Sequence, residues 1–163
     1  MWSRHLLNCA ALGPELPRGS DVADVGSGAG LPGIALAIAR PDCHFTLVEP
    51  MERRIQWLDT VVKDLELDNV ELIRARAEEV TDEVMADVVT ARAVSSLKSL
   101  IPMTAPLLGE DGRLMLLKGR SAEDEIRAAQ KALHKHKLTR PEVRILGEGV
   151  LETPTTVVIC GKR

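Results

Sequence analysis

The chain has 163 residues, of which 45% are hydrophobic and 28% charged, enough for one globular domain with a buried core and too few for two. Its net charge of −3 gives no overall positive field, so any contact with nucleic acid has to be local. No apolar run approaches the roughly 18 residues of a membrane span and no signal-peptide pattern opens the chain, so we expect a cytoplasmic protein without membrane contact.

Short apolar or β-branched runs alternate with helical patterns along the chain. The predicted strands cover residues 21–25, 44–49, 70–74, 87–91, 113–118, 142–146 and 155–160. The predicted helices cover residues 31–39, 51–65, 97–108 and 121–138. Such alternation predicts an α/β protein whose parallel sheet is covered on both faces. With only three aromatic residues, the core has to consist mainly of Ala, Val, Leu and Ile.

The last two predicted strands depart from this alternation. Only residues 147–154 separate them, which is too short for a crossover helix, so these strands should pair antiparallel. Seven strands with the last one reversed is the Rossmann-like class I fold of S-adenosylmethionine-dependent methyltransferases. We expect a single domain, with a helix and lead-in over residues 1–20 and the cofactor-binding and catalytic core over residues 21–163.

The stretch DVGSGAGLPG, which begins at Asp24, contains two overlapping glycine patterns. Read from Gly28 it is the dinucleotide pattern G-x-G-x-x-G, and read from Asp24 it is D-x-G-x-G-x-G, which holds S-adenosylmethionine in many methyltransferases. Either pattern directs backbone N–H groups and a helix N-terminus at a ligand. Glu49, 21 residues after Gly28, is placed to hold a ribose in both cases. The glycine pattern alone does not distinguish a dinucleotide site from an S-adenosylmethionine site.

Three further features favour the methyltransferase interpretation over an NAD(P)-dependent oxidoreductase, which stays open as an alternative. Asp24 lies two residues before Gly26, where its carboxylate can support the loop near the amino acid moiety of the cofactor. Ala77 and Glu78 follow the third strand, where a backbone amide beside an acidic side chain can hold an adenine. A dehydrogenase also needs further chain to orient its substrate.

Several ordered motifs resemble those of the GidB/RsmG family, the guanine-N7 methyltransferases of 16S ribosomal RNA. They are DVGSGAGLPGIALAI, RPDCHFTLVEP, RRIQWL, RAEEV, ARAVSSL and LLKG, and the resemblance runs from about Arg4 to the C-terminus. It implies S-adenosyl-L-methionine as cofactor and 16S rRNA or the small ribosomal subunit as partner. We expect a monomer.

The resemblance and the glycine loop together define the candidate site. The family's cofactor-binding positions correspond to Gly26, Leu31, Ala77, Glu78 and Arg92. The full candidate cofactor-binding set is Asp24, Gly26, Gly28, Gly30, Leu31, Glu49, Ala77, Glu78 and Arg92.

Two cations are the candidate catalytic residues. Arg92, after the fourth strand, could pair with the cofactor carboxylate, an RNA phosphate or guanine O6, and its alternative is a surface arginine that caps the next helix. Lys118 ends the fifth strand and could meet RNA phosphate or be a solvated loop lysine. Guanine N7 has no proton to lose, so the reaction needs alignment and desolvation more than a general base.

The sequence offers little support for other site chemistries. Cys9, Cys43 and Cys160 are widely spaced, which predicts buried reduced thiols rather than disulfides, zinc ligands or a cytosine-C5 nucleophile. His5 and His44 lack metal-ligand spacing, so we expect no metal. The segment after the fourth strand also lacks the Pro-Pro motif of adenine-N6 methyltransferases.

Two features bear on RNA binding. Lys131, His134, Lys135, His136, Lys137 and Arg140 form a basic run, which we interpret as the solvated face of a helix, with contact to rRNA phosphates as the alternative. Members of the family are expected to carry a helical N-terminal segment before the stretch that starts here. A fragment that binds cofactor but is inactive therefore stays a second alternative.

Overall fold

A computed structural model describes residues 2–92 and 95–163, with side chains from residue 5 onward. Ala93 and Val94, in the ARAVSSL motif, lie outside the described residues. The strands are β1 (Asp21–Val25), β2 (His44–Val48), β3 (Val70–Ile73), β4 (Ala86–Arg92), β5 (Leu108–Lys118), β6 (Glu142–Leu146) and β7 (Thr155–Gly161). The helices are α1 (Trp2–Ala10), α2 (Gly33–Ala39), α3 (Glu52–Asp64), α4 (Leu97–Thr104), α5 (Ala122–Ala128) and α6 (Gln130–Lys135). Short 3₁₀ turns cover Gly13–Glu15, Ala77–Glu79 and Ala105–Leu107.

The strands form one seven-stranded sheet in the order β3-β2-β1-β4-β5-β7-β6. All pairs from β3 to β5 are parallel, whereas β7 is antiparallel to both β5 and β6. The short connection between β6 and β7 makes β7 turn back along β6 and enter the sheet beside β5. The predicted fold class is therefore confirmed, including the reversed last strand.

The structure corrects two predicted elements. The predicted helix over residues 121–138 is two helices, because the backbone at Ala129 leaves helical geometry with φ −96° and ψ 5°. The fifth strand begins at Leu108 rather than residue 113, and its pairing with β4 shifts between Ala86 and Val88. A Cβ at Gly112 would lie 2.9 Å from the Ala86 carbonyl oxygen, so glycine permits this close approach. Gly109, Asp111 and Gly112 therefore lie within the strand itself.

Two hydrophobic layers cover the sheet, one on each face. Successive residues of β5 alternate between them: Leu114 and Leu116 enter the layer beneath α4, and Met115 and Leu117 enter the layer beneath α2. This alternation follows from the two-residue period of a strand. Phe45, the only phenylalanine in the chain, is fully buried in the α2 layer.

The residues before β1 are fastened to the α2 side of the sheet. The Arg40 guanidinium donates to the carbonyl oxygens of Gly13 at 2.7 Å and Leu16 at 2.8 Å and pairs with Asp42. Cys9 of α1 is buried in the same layer. These contacts bring α1 to the sheet edge on which β1 and β4 end. Among the residues that the structure describes, no helix has the length and apolarity needed to span a membrane.

Replacing Phe45 with Ala should lower the free energy of unfolding by about 3–5 kcal/mol, because it removes a fully buried ring and leaves a cavity. Urea denaturation measures the change. Ile38→Ala on α2 is the control. Because the Ile38 side chain is 54% exposed, its truncation should lower the free energy of unfolding by well under half as much. Equal losses in the two variants would contradict the packing described.

Candidate active site

A cavity of about 1160 Å³ opens at the carboxyl ends of β1, β2 and β4. This is the edge at which α/β sheets bind their ligands. Its lining residues come from the glycine loop, α3, the 3₁₀ turn after β3, the end of β4 and α4. They include Gly26, Ser27, Gly28, Ala29, Leu31, Pro50, Arg53, Arg54, Trp57, Ala77, Glu78, Arg92, Ser95, Leu100 and Met103.

Three glycines of the loop adopt positive φ angles, which side-chain-bearing residues rarely do: Gly26 at 68°, Gly28 at 54° and Gly30 at 102°. A Cβ at Gly26 would meet no atom within 4 Å, so the backbone there faces open space in the cavity. A Cβ at Gly30 would instead lie 2.7 Å from Cγ1 of Ile34. Gly26 and Gly28 therefore line the cavity, whereas Gly30 allows the loop to pack onto α2.

Asp24 lies beneath the loop and does not line the cavity. Its side chain is 0% exposed, and Oδ2 accepts a hydrogen bond from the Gly33 N–H at 2.9 Å. Burial raises the pKa of Asp24 to about 7, with the nearby Glu49 adding to the rise and the Gly33 hydrogen bond opposing it. Oδ1 has no hydrogen-bond partner in the described chain. Asp24 thus supports the loop, as the sequence suggested, from underneath.

Glu49 also lies under the loop rather than in the cavity. Oε1 accepts from the Gly28 N–H at 3.1 Å, and Oε2 accepts from the Met51 N–H at 2.8 Å. Arg54 approaches Oε1 at 3.5 Å, and the Glu49 side chain is 1% exposed. In this arrangement the carboxylate holds the glycine loop. The contact with a ribose stays a prediction, since each carboxylate oxygen can accept more than one hydrogen bond.

Both glycine patterns are used structurally, so loop geometry alone does not separate them. A Cβ at Gly33 would lie 2.6 Å from Oδ2 of Asp24 and 2.9 Å from Cδ1 of Leu47, so the last glycine of the dinucleotide pattern is needed for close helix packing. The sheet order separates the two interpretations. A dinucleotide-binding sheet has six parallel strands in the order 3-2-1-4-5-6, whereas here an antiparallel β7 lies between β5 and β6.

Arg92 stands at the end of β4 between two cavities. It lines the large cavity and also a second one of about 580 Å³ lined by α1, the end of β5 and the start of β7. One guanidinium nitrogen lies 2.6 Å from His5 Nδ1. Because arginine can only donate, His5 accepts there and carries its own proton on Nε2. Arg92 is exposed, and its described side-chain contacts are to α1, so its role in the site stays a prediction.

The thiol nearest to Arg92 is not a nucleophile. Burial raises the pKa of Cys9 to about 11, although the positive charge of Arg92 opposes the rise. Its sulfur lies 4.0 Å from a nitrogen of Arg92. Cys43 and Cys160 are also free and buried, so the sequence prediction for the three cysteines is confirmed.

Lys118 is not a solvated loop lysine, and it lines the second cavity. Its side chain is only 5% exposed, and Nζ lies 2.9 Å from Oε1 of Glu125 and 2.8 Å from the Ser95 carbonyl oxygen. Glu125 also accepts from the Leu97 N–H at 3.0 Å and from the Ser121 hydroxyl at 2.8 Å. Burial opposes ionisation of Glu125, but these hydrogen bonds outweigh it and lower its pKa. The sequence could not anticipate this pair, because its members lie on different elements.

The sequence prediction missed most of the cavity wall contributed by α3 and α4. Trp57 is 51% exposed, and its indole N–H lies 3.4 Å from the Ala29 carbonyl oxygen. Arg53 stands one turn before it. Leu100 and Met103 have a helical spacing of three, which could have placed both on one wall. Within the described ranges, no three His, Cys, Asp or Glu residues are grouped so as to hold a metal ion.

The sheet order, the glycine loop and the cavity at the strand ends together define the class I S-adenosylmethionine-dependent methyltransferase fold. Solved structures share it: precorrin-6y C5,15-methyltransferase from Geobacter metallireducens has a TM-score of 0.69 over 98% of this chain and 87% of its own, at 18% identity. TrmN from Thermus thermophilus has a TM-score of 0.70 over 97% of this chain and 48% of its own, at 20% identity.

The sequence comparisons are more specific than the fold. The profile of the GidB family, described as rRNA small subunit methyltransferase G, matches residues 1–153. A ribosomal RNA small subunit methyltransferase G from Pseudarthrobacter chlorophenolicus is 58% identical over 97% of this chain and 73% of its own length. Its counterpart from Thermobifida fusca is 48% identical over 97% of this chain and 67% of its own. The chain belongs to the GidB family of methyltransferases.

The buried carboxyl of Asp24 should make stability depend on pH. Its folded-state pKa of about 7 lies above the unfolded value, so between about pH 4 and pH 7 the unfolded chain loses a proton that the folded chain retains. The free energy of unfolding should therefore fall as pH rises through this window. Asp24→Asn should lack this component, whereas Asp64→Asn, at an exposed position, should keep it. Urea denaturation across the window tests this, and equal pH dependence in wild type and Asp24→Asn would contradict it.

Proposed function

We propose that this chain transfers the methyl group of S-adenosyl-L-methionine to N7 of a guanine in 16S ribosomal RNA. The family and the names of its relatives support ribosomal RNA of the small subunit as the substrate class. The structural observation that carries the proposal is the position of Arg92 between the two cavities. One cavity suits the cofactor, and the other suits the base that receives the methyl group.

The residues of the large cavity fit this cofactor. The open backbone at Gly26 can approach the methionine part of the cofactor without a side chain in the way. Ala77 and Glu78 line the far wall, where they can hold the adenine, and Leu31 contributes apolar surface. When bound, S-adenosyl-L-methionine supplies an electrophilic methyl group on its sulfonium.

The second cavity is proposed to receive the guanine. Arg92 has donors for guanine O6, which lies beside N7 on the major-groove edge of the base. His5 and Asn8 of α1 add polar groups to the same cavity. Because the base must leave its stack to reach this position, an exposed RNA loop is a suitable target.

The chemistry proposed for these residues is alignment rather than proton transfer. N7 attacks with an in-plane lone pair and has no proton to lose, so the protein has to orient the base and exclude water. The protonated Cys9 thiol beside Arg92 and the absence of a metal cluster in the described residues are compatible with this chemistry. Arg92 is the proposed catalytic residue, since it contacts the substrate.

Lys118 is proposed to act through the loop after β4. Its ammonium group holds the Ser95 carbonyl oxygen, while Glu125 holds the first N–H of α4. Ser95 is exposed at the entrance to the cavity. Lys118 therefore fixes one side of the entrance, which makes it a proposed positioning residue, and it also lines the second cavity.

Calorimetric titration should show binding of S-adenosyl-L-methionine and none of NAD in a parallel experiment. Gly26→Ala should weaken cofactor binding by about 1–2 kcal/mol, because alanine is strained at the positive φ of this position. Gly13→Ala is the matched control, since a Cβ there meets only ordinary contacts at 3.7 Å or more. Binding of NAD alone would favour the oxidoreductase. Binding of S-adenosyl-L-methionine without any methyl transfer would favour the inactive fragment.

Arg92→Ala should lower kcat/KM for methyl transfer to 16S rRNA by about 100-fold, because the substrate loses an oriented charged donor. Transfer of a labelled methyl group measures the change. Arg113→Ala is the control and should keep nearly full activity. Arg113 is exposed and pairs with Val88, at the opposite end of the β4–β5 ladder from Arg92. Full transfer by the Arg92 variant would remove Arg92 from the mechanism.

A further inference from the structure

Positive charge is concentrated in one segment of this negatively charged chain. Residues 127–140 contain five Lys or Arg and two His but no Asp or Glu, although the whole chain carries a net charge of −3. The five cations are Arg127, Lys131, Lys135, Lys137 and Arg140, and all are exposed. The segment includes α6 and the turn that leads toward β6.

The same segment forms one wall of a groove of about 830 Å³. Arg127, His134, Arg140 and Arg163 line it, together with the polar side chains of Gln130 and Thr139. Glu123 is the only acidic residue of the described lining. This concave surface, which we term the basic groove, is separate from both cavities at the carboxyl ends of the strands.

Few of these cations are neutralised within the protein. Arg127 pairs with Asp124 at 2.6 Å. In the part of the chain that the structure describes, Lys131, Lys135, Lys137 and Arg140 take part in no ion pair. Their charge is therefore available to a partner, and in water it attracts polyanions without a desolvation cost.

The groove is held in place by the core and by β7. Leu133 is 5% exposed and Leu138 is 1% exposed. These two buried side chains, which alternate with the cations along the segment, anchor it to the core. The Thr139 N–H donates to the Gly161 carbonyl oxygen at 2.8 Å, and the Gly161 N–H donates to the Thr139 hydroxyl oxygen at 3.0 Å. A preformed surface of this kind loses little conformational entropy when it binds a ligand.

The chemistry of the groove favours phosphate over a protein partner. None of the exposed large apolar side chains of the described chain lies between α5 and the start of β6. Protein interfaces need buried apolar or aromatic anchors, whereas contacts to nucleic acid backbones consist mainly of Lys, Arg and polar donors. The groove lining contains no Phe, Tyr or Trp, so we expect recognition there to rest mainly on phosphates rather than on base sequence.

We propose that the basic groove binds phosphates of the rRNA backbone at a position outside the methyl-transfer site. The inference rests on the proposed function, since that function supplies RNA as the substrate. α4 packs against both α5 and α6, and its Leu100 and Met103 line the cofactor cavity. The groove and the cavity therefore lie on the same side of the sheet, and one RNA can contact both. The proposal takes the alternative that the sequence left open for the basic run, contact with rRNA phosphates, rather than a helix face that is only solvated.

The test is a double charge reversal of two arginines that line the groove, Arg127→Glu with Arg140→Glu. Binding of a 16S rRNA transcript should weaken about tenfold or more at moderate salt, and the dependence of binding on salt concentration should become shallower, because phosphate contacts release fewer counterions. An unrelated transcript of the same length should lose affinity by a similar factor. The affinity for S-adenosyl-L-methionine should not change, which shows that the variant is folded.

Arg18→Glu with Lys63→Glu is the matched control, because both side chains are exposed away from the groove and the change in net charge is the same. Equal RNA affinity of the two double variants would overturn the proposal, and methyl transfer by the wild type would then leave the proposed function standing. A selective loss of RNA binding in the groove variant, with no methyl transfer by the wild type, would support the groove and refute the proposed function.

Discussion

The geometry of the site depends on two buried carboxylates that hold the glycine loop from below. Asp24 accepts from the first N–H of α2, and Glu49 accepts from the N–H of Gly28 in the middle of the loop. Between them they fix the middle of the loop and its junction with α2, in a segment whose glycines adopt conformations that other residues avoid. Burial of Asp24 disfavours its charged form and raises its pKa to about 7. This unfavourable burial accompanies the hydrogen bond that positions the loop.

α1 contributes to the site as well as to the core. His5 accepts a hydrogen bond from Arg92, and Cys9 packs beside the same guanidinium. Arg40 fastens the lead-in behind α1 to the sheet, so the orientation of Arg92 depends on contacts far from β4 in sequence. The sequence pattern places Arg92 at a strand end. The direction of its side chain, however, is set by a contact with α1, more than eighty residues earlier.

The charged residues of the chain serve three different purposes. Lys118 forms a largely buried ion pair with Glu125 and stabilises the loop after β4. Arg92 is held between two cavities by a neutral histidine. Of the arginines that line the basic groove, Arg127 pairs with Asp124, whereas Arg140 takes part in no ion pair in the described chain. The exposed cations of this segment form a local positive region on a chain of net charge −3.

The sequence by itself determined the fold class, the reversed last strand and the place of the glycine loop, because strand and helix periodicity and the short connection before β7 are local properties. It did not determine which side chains face the cavity. Asp24, Glu49 and Lys118 were predicted at the correct strand ends, yet the structure buries all three, because hydrogen bonds between distant elements decide their direction. Trp57 and the wall of α4 joined the cavity for the same reason: only tertiary packing brings separate helices to one edge of the sheet.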